Sequence, residues 1–555
     1  MCDPQTFDSR DSRYKRPYGA VPSGTRVELA LRPPRAGGFS AATLIAYFEH
    51  RDEERRELPM PWRGLEGDRD VFAVTLETGD YVGLVWYSFR LEGLDGRREE
   101  LGPFQLTVYD GAEEVPAWFG EGVTYQIFPD RFRRTRVPDP TGMVGGRSVH
   151  TGWEEEPVYR PDRNGEVRNR DFFGGDLAGV REKLGYLRGL GVDTLYFCPI
   201  FEAPENHRYG TGDYEKIDPM LGTEADFRAL CTDAHALGMR VVLDGVFNHQ
   251  GFVSRYFNGD GSYESVGAVQ SQDSPYYPWY HFSHWPDKYD SWWGIYSLPA
   301  VNEADSSYRR YIFGGADSII RRWLAAGADG WRLDVADELP DDFIHGIHAA
   351  ARQAMETLWE NYPPFAWRSA MNFLGTHDTP RILTLLGTGG DGREHDKDWR
   401  AAFRMSPGQY ALGKARLKLG ALVLFAFPGS PMVYYGDEAG MEGFEDPFNR
   451  RTYPWGREDG ELLEWYTALG KARRALPALR RGELAWTLTR GRVLSFLRTG
   501  AEGSVLAAVN AGERPEPIDL PWPARDWMTG AALEQGEQTL PPMTGWLLTP
   551  RPEGA

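Results

Sequence analysis

An alternation of short apolar segments and amphipathic helices, which begins near residue 123, is the feature that most constrains the fold. It predicts strands over 123–129, 194–200, 240–246 and 330–335, separated by helices over 176–190, 224–237 and 307–326. Strands that alternate with helices form parallel sheets. Polar residues stand where these strands end, namely Asp244, Asn248, His249, Arg332 and Asp334. The pattern therefore predicts a TIM-type (β/α) barrel with its site on that face.

The segments on either side of this region have a different pattern. Residues 26–32 and 71–76 alternate polar and apolar side chains, and turn residues separate further short strands of this kind. We predict an N-terminal β-sandwich over 1–112 and the barrel over 113–460, with a loop subdomain at about 250–302. A linking helix and a C-terminal β-domain are predicted over 461–555.

Composition excludes several classes of partner. The chain has 62 basic and 81 acidic residues and a net charge of −19, which argues against nucleic acid or an anionic membrane as a partner. The cysteines Cys2, Cys198 and Cys231 suit buried thiols better than a disulfide framework. We see no signal peptide in residues 1–18 and no apolar stretch long enough to cross a bilayer. The expected location is the cytoplasm.

Several motifs occur together and in one order along the chain. They occupy residues 125–132, 197–203, 206–209, 244–249, 330–334, 377–378 and 434–438. With these motifs the chain resembles glycoside hydrolase family 13, the α-amylase superfamily, and most of all its neopullulanase, cyclomaltodextrinase and maltogenic amylase group. The N-terminal segment resembles a family-34 carbohydrate-binding module. The resemblance implies retaining hydrolysis of α-1,4 links in maltodextrin, cyclomaltodextrin or pullulan.

The resemblance also implies roles for individual residues. It places catalytic groups at Asp334, the nucleophile, at Asp378, which supports the transition state, and at Arg332, which orients the nucleophile. It places substrate-binding groups at Tyr209, Asp244, His249 and His377. Taken alone, each residue also has a structural explanation. Arg332 and Asp334 could form a simple ion pair, the histidines could be core residues, and Tyr209 could be a packed loop aromatic.

The general acid of the family is missing from the expected place. In the family this acid is a Glu on the fifth barrel strand, and no such motif follows Asp334. Asp334 and Asp378 are only 44 positions apart (334 to 378), whereas strands four and seven of a barrel stand about 90 residues apart. One helix is predicted over 341–362, so strands five and six are not found. Glu338, Glu356 and Glu360 are poor substitutes, because they lie beyond a strand end or on a polar helix face.

Three hypotheses stay open at this stage. The chain is an α-glucan hydrolase that lacks its acid, a non-catalytic α-glucan-binding protein, or an internally deleted form of an active parent. Trp292 and Trp293 either line a glucan cleft or cap the barrel. Calcium is a candidate metal, and the residues that could supply some of its oxygen ligands are Asp130, Asp162, Asn164, Asp171 and Asp176. The resemblance further implies a homodimer formed through the N-terminal domain.

Overall fold

A computed structural model describes residues 5–49, 51, 54–112, 116–335 and 362–551. The chain divides into two compact units, one of residues 1–120 with 341–370 and one of residues 121–340 with 371–555. The three domain boundaries given above stay a prediction. Glu338, Glu356, Glu360 and all but the last position of the helix predicted over 341–362 lie outside the described residues.

The first unit contains two β-sheets that share one apolar core. The four-stranded sheet has the spatial order Lys15–Arg16, Arg26–Leu31, Arg69–Glu77 and Trp62–Glu66. The five-stranded sheet has the order Val21–Pro22, Arg98–Tyr109, Gly83–Gly93, Phe39–Phe48 and Arg55–Pro59. Alternate side chains of both sheets are buried against each other, as the polar–apolar alternation predicts. A short helix, Pro364–Arg368, belongs to this unit, and the ring of its Phe365 packs on that of Tyr109.

The second unit is built on a six-stranded parallel sheet, called the central sheet below. In chain order its strands are β1 Val123–Ile127, β2 Val192–Phe197, β3 Arg240–Gly245, β4 Gly330–Leu333, β5 Met371–Phe373 and β6 Ser430–Tyr434. Their spatial order is β4-β3-β2-β1-β6-β5. Every residue of β1 and β6 is buried, and two polar side chains of these strands, Thr124 and Ser430, are hydrogen-bonded to each other. This is the strand order of a TIM-type barrel, as predicted.

The central sheet has two edges among the described residues. Strand β4 pairs with β3 alone, and β5 pairs with β6 alone. Strand β5 is the one that the family resemblance identifies as the seventh of a complete barrel. Within residues 116–335 and 362–551, the strands of the central sheet thus form part of a TIM-type barrel, and no described strand joins β4 to β5. The absence of two strands there stays a prediction of the sequence. An eight-stranded barrel closes only when strand number, tilt and stagger agree.

Helices occupy the segments between the strands of the central sheet, and two more follow β6. They are Pro129–Phe132, Leu177–Glu182, Leu184–Gly189, Glu224–Ala236, Ser306–Arg309, Ile319–Ala326, Ile382–Thr388, Lys397–Ala402, Pro407–Ala426, Gly460–Ala475 and Pro477–Arg481. Helix Glu224–Ala236 begins with a capping box in which Thr223 and Asp226 each bind the other's backbone N–H. No described helix is both long enough and apolar enough to cross a lipid bilayer.

Two helices predicted as continuous are interrupted. The one predicted over 176–190 is two short helices that meet at Lys183, and three glycines within it weaken the helical backbone. The one predicted over 307–326 is broken into Ser306–Arg309, a π-helical turn Arg310–Gly314, and Ile319–Ala326. Adjacent Gly314 and Gly315 lie at that break. The helical spacing of apolar residues in the sequence continues across both breaks, so it did not predict them.

A buried arginine joins several elements of the second unit. Arg473, on helix Gly460–Ala475, is 1% exposed. Its guanidinium donates to backbone carbonyl oxygens of Glu121, Phe425, Phe427, Gly429 and Leu479. Burial, and next the charge of Arg498, lower the pKa of Arg473 to about 9. This side chain therefore satisfies carbonyl groups at the end of one helix and before strand β6.

The remaining strands lie in loops and at the C-terminal end. The loop pairs are Ser148–Val149 with Asp171–Phe172, Phe201–Glu202 with Asp213–Ile217, and Phe282–His284 with Lys288–Tyr289. A six-stranded sheet follows the last helix, in the order Glu483–Arg490, Val493–Gly500, Gly503–Asn510, Thr544–Pro550, Ala524–Asp526 and Ala532–Leu533. Glu516–Leu520 pairs with Gly536–Leu540. Cys198 and Cys231 are buried free thiols, as predicted.

Candidate active site

The polar residues predicted at the strand ends do come together at one edge of the central sheet. Asp244 on β3 is directly opposite Arg332 on β4, because the two strands are parallel and in register there. Arg332 Nη1 donates to Asp244 Oδ1 at 2.9 Å and to Asp334 Oδ1 at 2.5 Å. One guanidinium nitrogen therefore binds two carboxylates, and it fixes the position of the Asp334 oxygen relative to the sheet.

Asp244 is fully enclosed and accepts three hydrogen bonds. Besides Arg332, the hydroxyls of Tyr196 and Tyr209 donate to its Oδ2 at 2.6 and 2.9 Å. Burial raises the pKa of Asp244 to about 6, and the charge of Arg332 opposes that rise. Asp244 thus holds Arg332 in position, and both of its carboxylate oxygens accept hydrogen bonds from protein side chains.

Asp334 ends its strand at a sharp turn and keeps part of its carboxylate open. Its side chain is 13% exposed, so a small approach path remains. The next residue, Val335, has a φ of +56°. A β-branched residue in the left-handed region is a strained outlier, and such strain is found where a structure holds a functional group in place. The backbone N–H of Asp334 is itself held by the carbonyl of Gly245 at 3.1 Å.

His377 and Asp378 form the opposite part of the site, just after β5. The Gln126 side chain lies 2.8 Å from His377 Nδ1, and the His377 ring stacks on Tyr209 at 5.1 Å and 12°. If the Gln126 amide donates to Nδ1, the imidazole proton is on Nε2, which lies 3.1 Å from Asp378 Oδ2. Burial, and next the charge of Arg450, lower the pKa of His377 well below its usual value. The neutral imidazole is therefore favoured, with its Nε2 facing Asp378.

Asp378 is the most open carboxylate of the site. Its side chain is 66% exposed, and Arg450 Nη2 lies 3.4 Å from its Oδ1. Arg450 also donates from Nε to the carbonyl oxygen of His377 at 2.9 Å, which fixes the loop that carries both residues. An exposed carboxylate beside a neutral imidazole is suited to accept hydrogen bonds from the hydroxyl groups of a ligand.

His249 reaches the site from the loop after β3. It is fully buried, and its ring stacks on Trp292 at 5.1 Å and 27°. Neither ring nitrogen has a hydrogen-bond partner of good geometry among the described residues. Burial lowers the pKa of His249 to about 4, and the negative charge of Asp334 opposes that shift. A neutral imidazole with both nitrogens uncommitted is a natural partner for a polar ligand.

Three residues of this network were missed in the sequence. Tyr196 and Gln126 lie inside apolar strands, and a polar side chain in a fully buried strand was the available signal. Arg450 lies in a loop turn, Phe448–Arg450, and nothing in its local sequence marks it. Its role depends on the fold that brings it to Asp378.

The acidic residues considered for calcium have other partners. Both oxygens of Asp130 accept backbone N–H groups, and Arg131 donates to one of them at 2.6 Å. Asp176 caps a helix through Gly179 and also accepts from Thr135. Within the described ranges, no three His, Cys, Asp or Glu side chains gather as a metal site would require. The carboxylates of Asp130 and Asp176 are therefore engaged by protein donors.

Comparison with known proteins agrees with this geometry. The family profile described as "Alpha amylase, catalytic domain" matches residues 126–363. Amylopullulanase of Thermoanaerobacter thermohydrosulfuricus is 33% identical over 618 aligned positions, which cover 89% of this chain and 40% of that protein. The chain thus spans less than half the length of this relative. Cyclomaltodextrinase of Geobacillus thermopakistaniensis is 30% identical over 73% of this chain and 72% of that protein.

The structural comparison gives the same answer. The cyclic α-maltosyl-(1→6)-maltose hydrolase of Arthrobacter globiformis, solved in complex with that cyclic sugar, is 27% identical with a TM-score of 0.62. The match covers 79% of this chain and all of that one. The motifs, the strand order and the relatives lead to one conclusion: the chain belongs to the α-amylase family of glycoside hydrolases.

Proposed function

We propose that this chain binds α-glucans and acts on the α-1,4 links of maltodextrin, cyclomaltodextrin or pullulan. The observation that carries the proposal is the Arg332 guanidinium shared between Asp244 and Asp334, with the Asp334 carboxylate partly open at the end of β4. The names of the amylopullulanase and cyclomaltodextrinase relatives support this choice of substrate. A cyclic maltosyl sugar bound to the Arthrobacter enzyme supports it as well.

The reaction would be a retaining hydrolysis in which Asp334 attacks the anomeric carbon. The glycosidic C–O bond breaks as the new C–O bond to Asp334 forms, and water later releases the sugar from the enzyme. Arg332 would aim the nucleophile. Asp378, His377 and His249 would hold the hydroxyls of the reacting sugar.

The oxygen of the leaving sugar needs a proton, and we identify no donor for it among the described residues. Among the described residues, the carboxylates linked to the network are those of Asp244, Asp334 and Asp378. Asp244 is committed to three donors, and Asp378 is the exposed stabiliser. We infer that the acid was lost with strands five and six, and that hydrolysis of unactivated glucans is close to background. The alignment with the amylopullulanase extends over 618 positions but includes only 89% of this 555-residue chain, so it contains gaps in this chain, which supports a shortened chain.

A glucan-binding protein without catalysis is the second candidate. Two aromatic contacts beside the carboxylates support it: Tyr209 stacks on His377, and Trp292 stacks on His249. An internally deleted form of an active parent would present the same groups. The binding protein and the deleted form differ in evolutionary origin. For either one we expect glucan binding with little hydrolysis.

Binding without turnover is the result that we expect with β-cyclomaltodextrin. At a ligand concentration of about 100 times Kd, binding contributes about 2.7 kcal/mol to the stability of the folded state. The melting temperature should then rise by about 3 °C, while the release of reducing sugar stays at the level of an Asp334→Ala control. Calorimetric melting with and without ligand, together with a reducing-sugar assay, measures both.

The alternative outcomes are distinct. Rapid hydrolysis of β-cyclomaltodextrin by the unmutated protein, abolished in Asp334→Ala, would mean that a proton donor exists. The inference that hydrolysis is close to background would then be wrong. No turnover together with no shift of the melting temperature would contradict the proposed function altogether.

Glucan affinity should fall in acid because of Asp244. As the pH drops below about 6, Asp244 takes up a proton and loses its charge interaction with Arg332. Affinity measured by titration calorimetry should therefore be flat above pH 7 and decline with a midpoint near pH 6. Asp244→Asn should bind weakly without that midpoint. If protonation of His249 controlled the glucan affinity instead, the midpoint would lie near pH 4, because the pKa of His249 is lowered to about 4.

The sign of the stability effect separates this decline from acid unfolding. The pKa of Asp244 is raised from 3.8 to about 6. Between these values the folded state binds a proton that the unfolded chain does not, so this carboxyl makes the fold more stable as the pH falls. A loss of affinity near pH 6 that coincides with a falling melting temperature would contradict the role given to Asp244.

A further inference from the structure

A stack of aromatic rings leads outward from the site. The ring of His249 lies on that of Trp292, and Trp292 lies on Trp293 with centroids 5.5 Å apart and planes 23° apart. The two tryptophans differ in exposure: Trp292 is half-buried, whereas Trp293 is 70% exposed. The sequence left open whether the pair lines a cleft or caps the barrel. Trp292 covers His249, and Trp293 has an exposed ring.

The hairpin that carries this pair is fixed to the site by backbone hydrogen bonds. Residues 289–299 form a tight turn in which Trp292 N donates to the carbonyl of Leu298 at 3.0 Å. Beyond the turn, Ala300 pairs as an isolated bridge with His249, and Val301 N donates to the carbonyl of Asn248. The position of Trp293 is therefore fixed relative to His249.

The backbone at Trp293 is held in a rare conformation. Its φ and ψ are 50° and 27°, and Gly294 follows with a φ of +74°. A bulky residue in the left-handed region is strained, whereas glycine would adopt the same turn freely. Folding alone would favour a small residue there. A large exposed ring kept in a strained turn points to a use for the ring.

We propose that Trp293 is a stacking platform for a glucosyl unit of an α-glucan, next to the unit held at Asp334. The proposal rests on the proposed function and names one binding position for the same substrate. The face of a glucosyl ring presents C–H groups, which pack on the electron-rich face of an indole. The sugar hydroxyls at the rim stay in water, as the exposure of Trp293 allows.

The test compares affinities for maltoheptaose by titration calorimetry. Trp293→Ala should raise Kd about 10-fold, in keeping with the loss of one aromatic contact. Trp293→Phe, which keeps a ring, should restore most of the affinity. Phe313→Ala is the matched control, because Phe313 is also exposed but lies outside this stack, and its Kd should equal that of the wild type.

A fourth variant separates the loss of the ring from damage to the fold. Trp293→Gly removes the ring and also relieves the left-handed strain, so it should melt no lower than the wild type while binding maltoheptaose about 10-fold more weakly. Wild-type affinity in both Trp293→Ala and Trp293→Gly would overturn the platform and leave the proposed function standing. No binding of maltoheptaose by the wild type would overturn the proposed function, and the platform with it.

Discussion

Purified protein is expected to release fluoride from α-maltosyl fluoride about 10²–10⁴ times faster than it cleaves a maltodextrin. Fluoride departs without being protonated, so the substrate needs only the nucleophile and the groups that stabilise charge. A sugar leaving group needs a proton from a general acid. The described part of the site provides Asp334, held by Arg332, together with Asp244, which accepts three hydrogen bonds, and Asp378, to which we assign the stabilising role. A fluoride electrode and a reducing-sugar assay on the same preparation measure the ratio.

The Asp334→Ala variant is the control for this experiment. It should lose fluoride release, because no covalent intermediate can form without the carboxylate. Maltodextrin cleavage as fast as fluoride release, and lost in the same variant, would place a working acid in this chain. Residues 336–361, which lie outside the described ranges, would then be the first place to search for it. Fluoride release that survives in the variant would contradict the role of Asp334.

Replacing Arg473 with Met should destabilise the second unit by about 3–5 kcal/mol. The guanidinium is 1% exposed and donates to carbonyl oxygens contributed by several separate elements. Methionine fills similar space but donates no hydrogen bond, so those carbonyls would lose a donor in a place that water does not reach. The shift of the denaturant midpoint, followed by a probe in this unit, measures the change in the free energy of unfolding.

The neighbouring residue provides a matched comparison. Arg474 is 39% exposed and forms an ion pair with Asp193 at 3.2 Å. Arg474→Met should therefore cost less than about 1 kcal/mol, as is usual for exposed pairs. Equal midpoint shifts for the two variants would mean that the buried donations of Arg473 contribute little to stability.

The central sheet could be predicted because its strands carry a strong signal. Parallel strands buried on both faces tend to be short apolar runs, and β3 has that form, with Val241, Val242 and Leu243 followed by Asp244. The breaks at Lys183 and at Gly314 could not be predicted in this way. Glycines weaken a helix locally, whereas hydrophobic periodicity continues on either side of them.

The site was predictable where one strand or motif carries it. Arg332 and Asp334 alternate on the same strand, so their side chains point to one face whatever surrounds them. The contacts of Tyr196 with Asp244, and of Arg450 with Asp378, depend on strand register and on a distant loop. Contacts of that kind come from tertiary structure, and a single sequence does not specify them. The same is true of Trp292 and Trp293, which have similar sequence surroundings and very different exposure.

The order of strands in the central sheet has a consequence for how the chain folds. Strand β1 is made early, yet one of its two neighbours is β6, and the Thr124 hydroxyl meets Ser430 across 306 residues. Pairings so distant in sequence are slow to form. During synthesis, β1 stays unpaired on one side until the ribosome has made β6, about 300 residues later. Premature termination before residue 430 would therefore leave a buried inner strand without its neighbour, a form prone to aggregation.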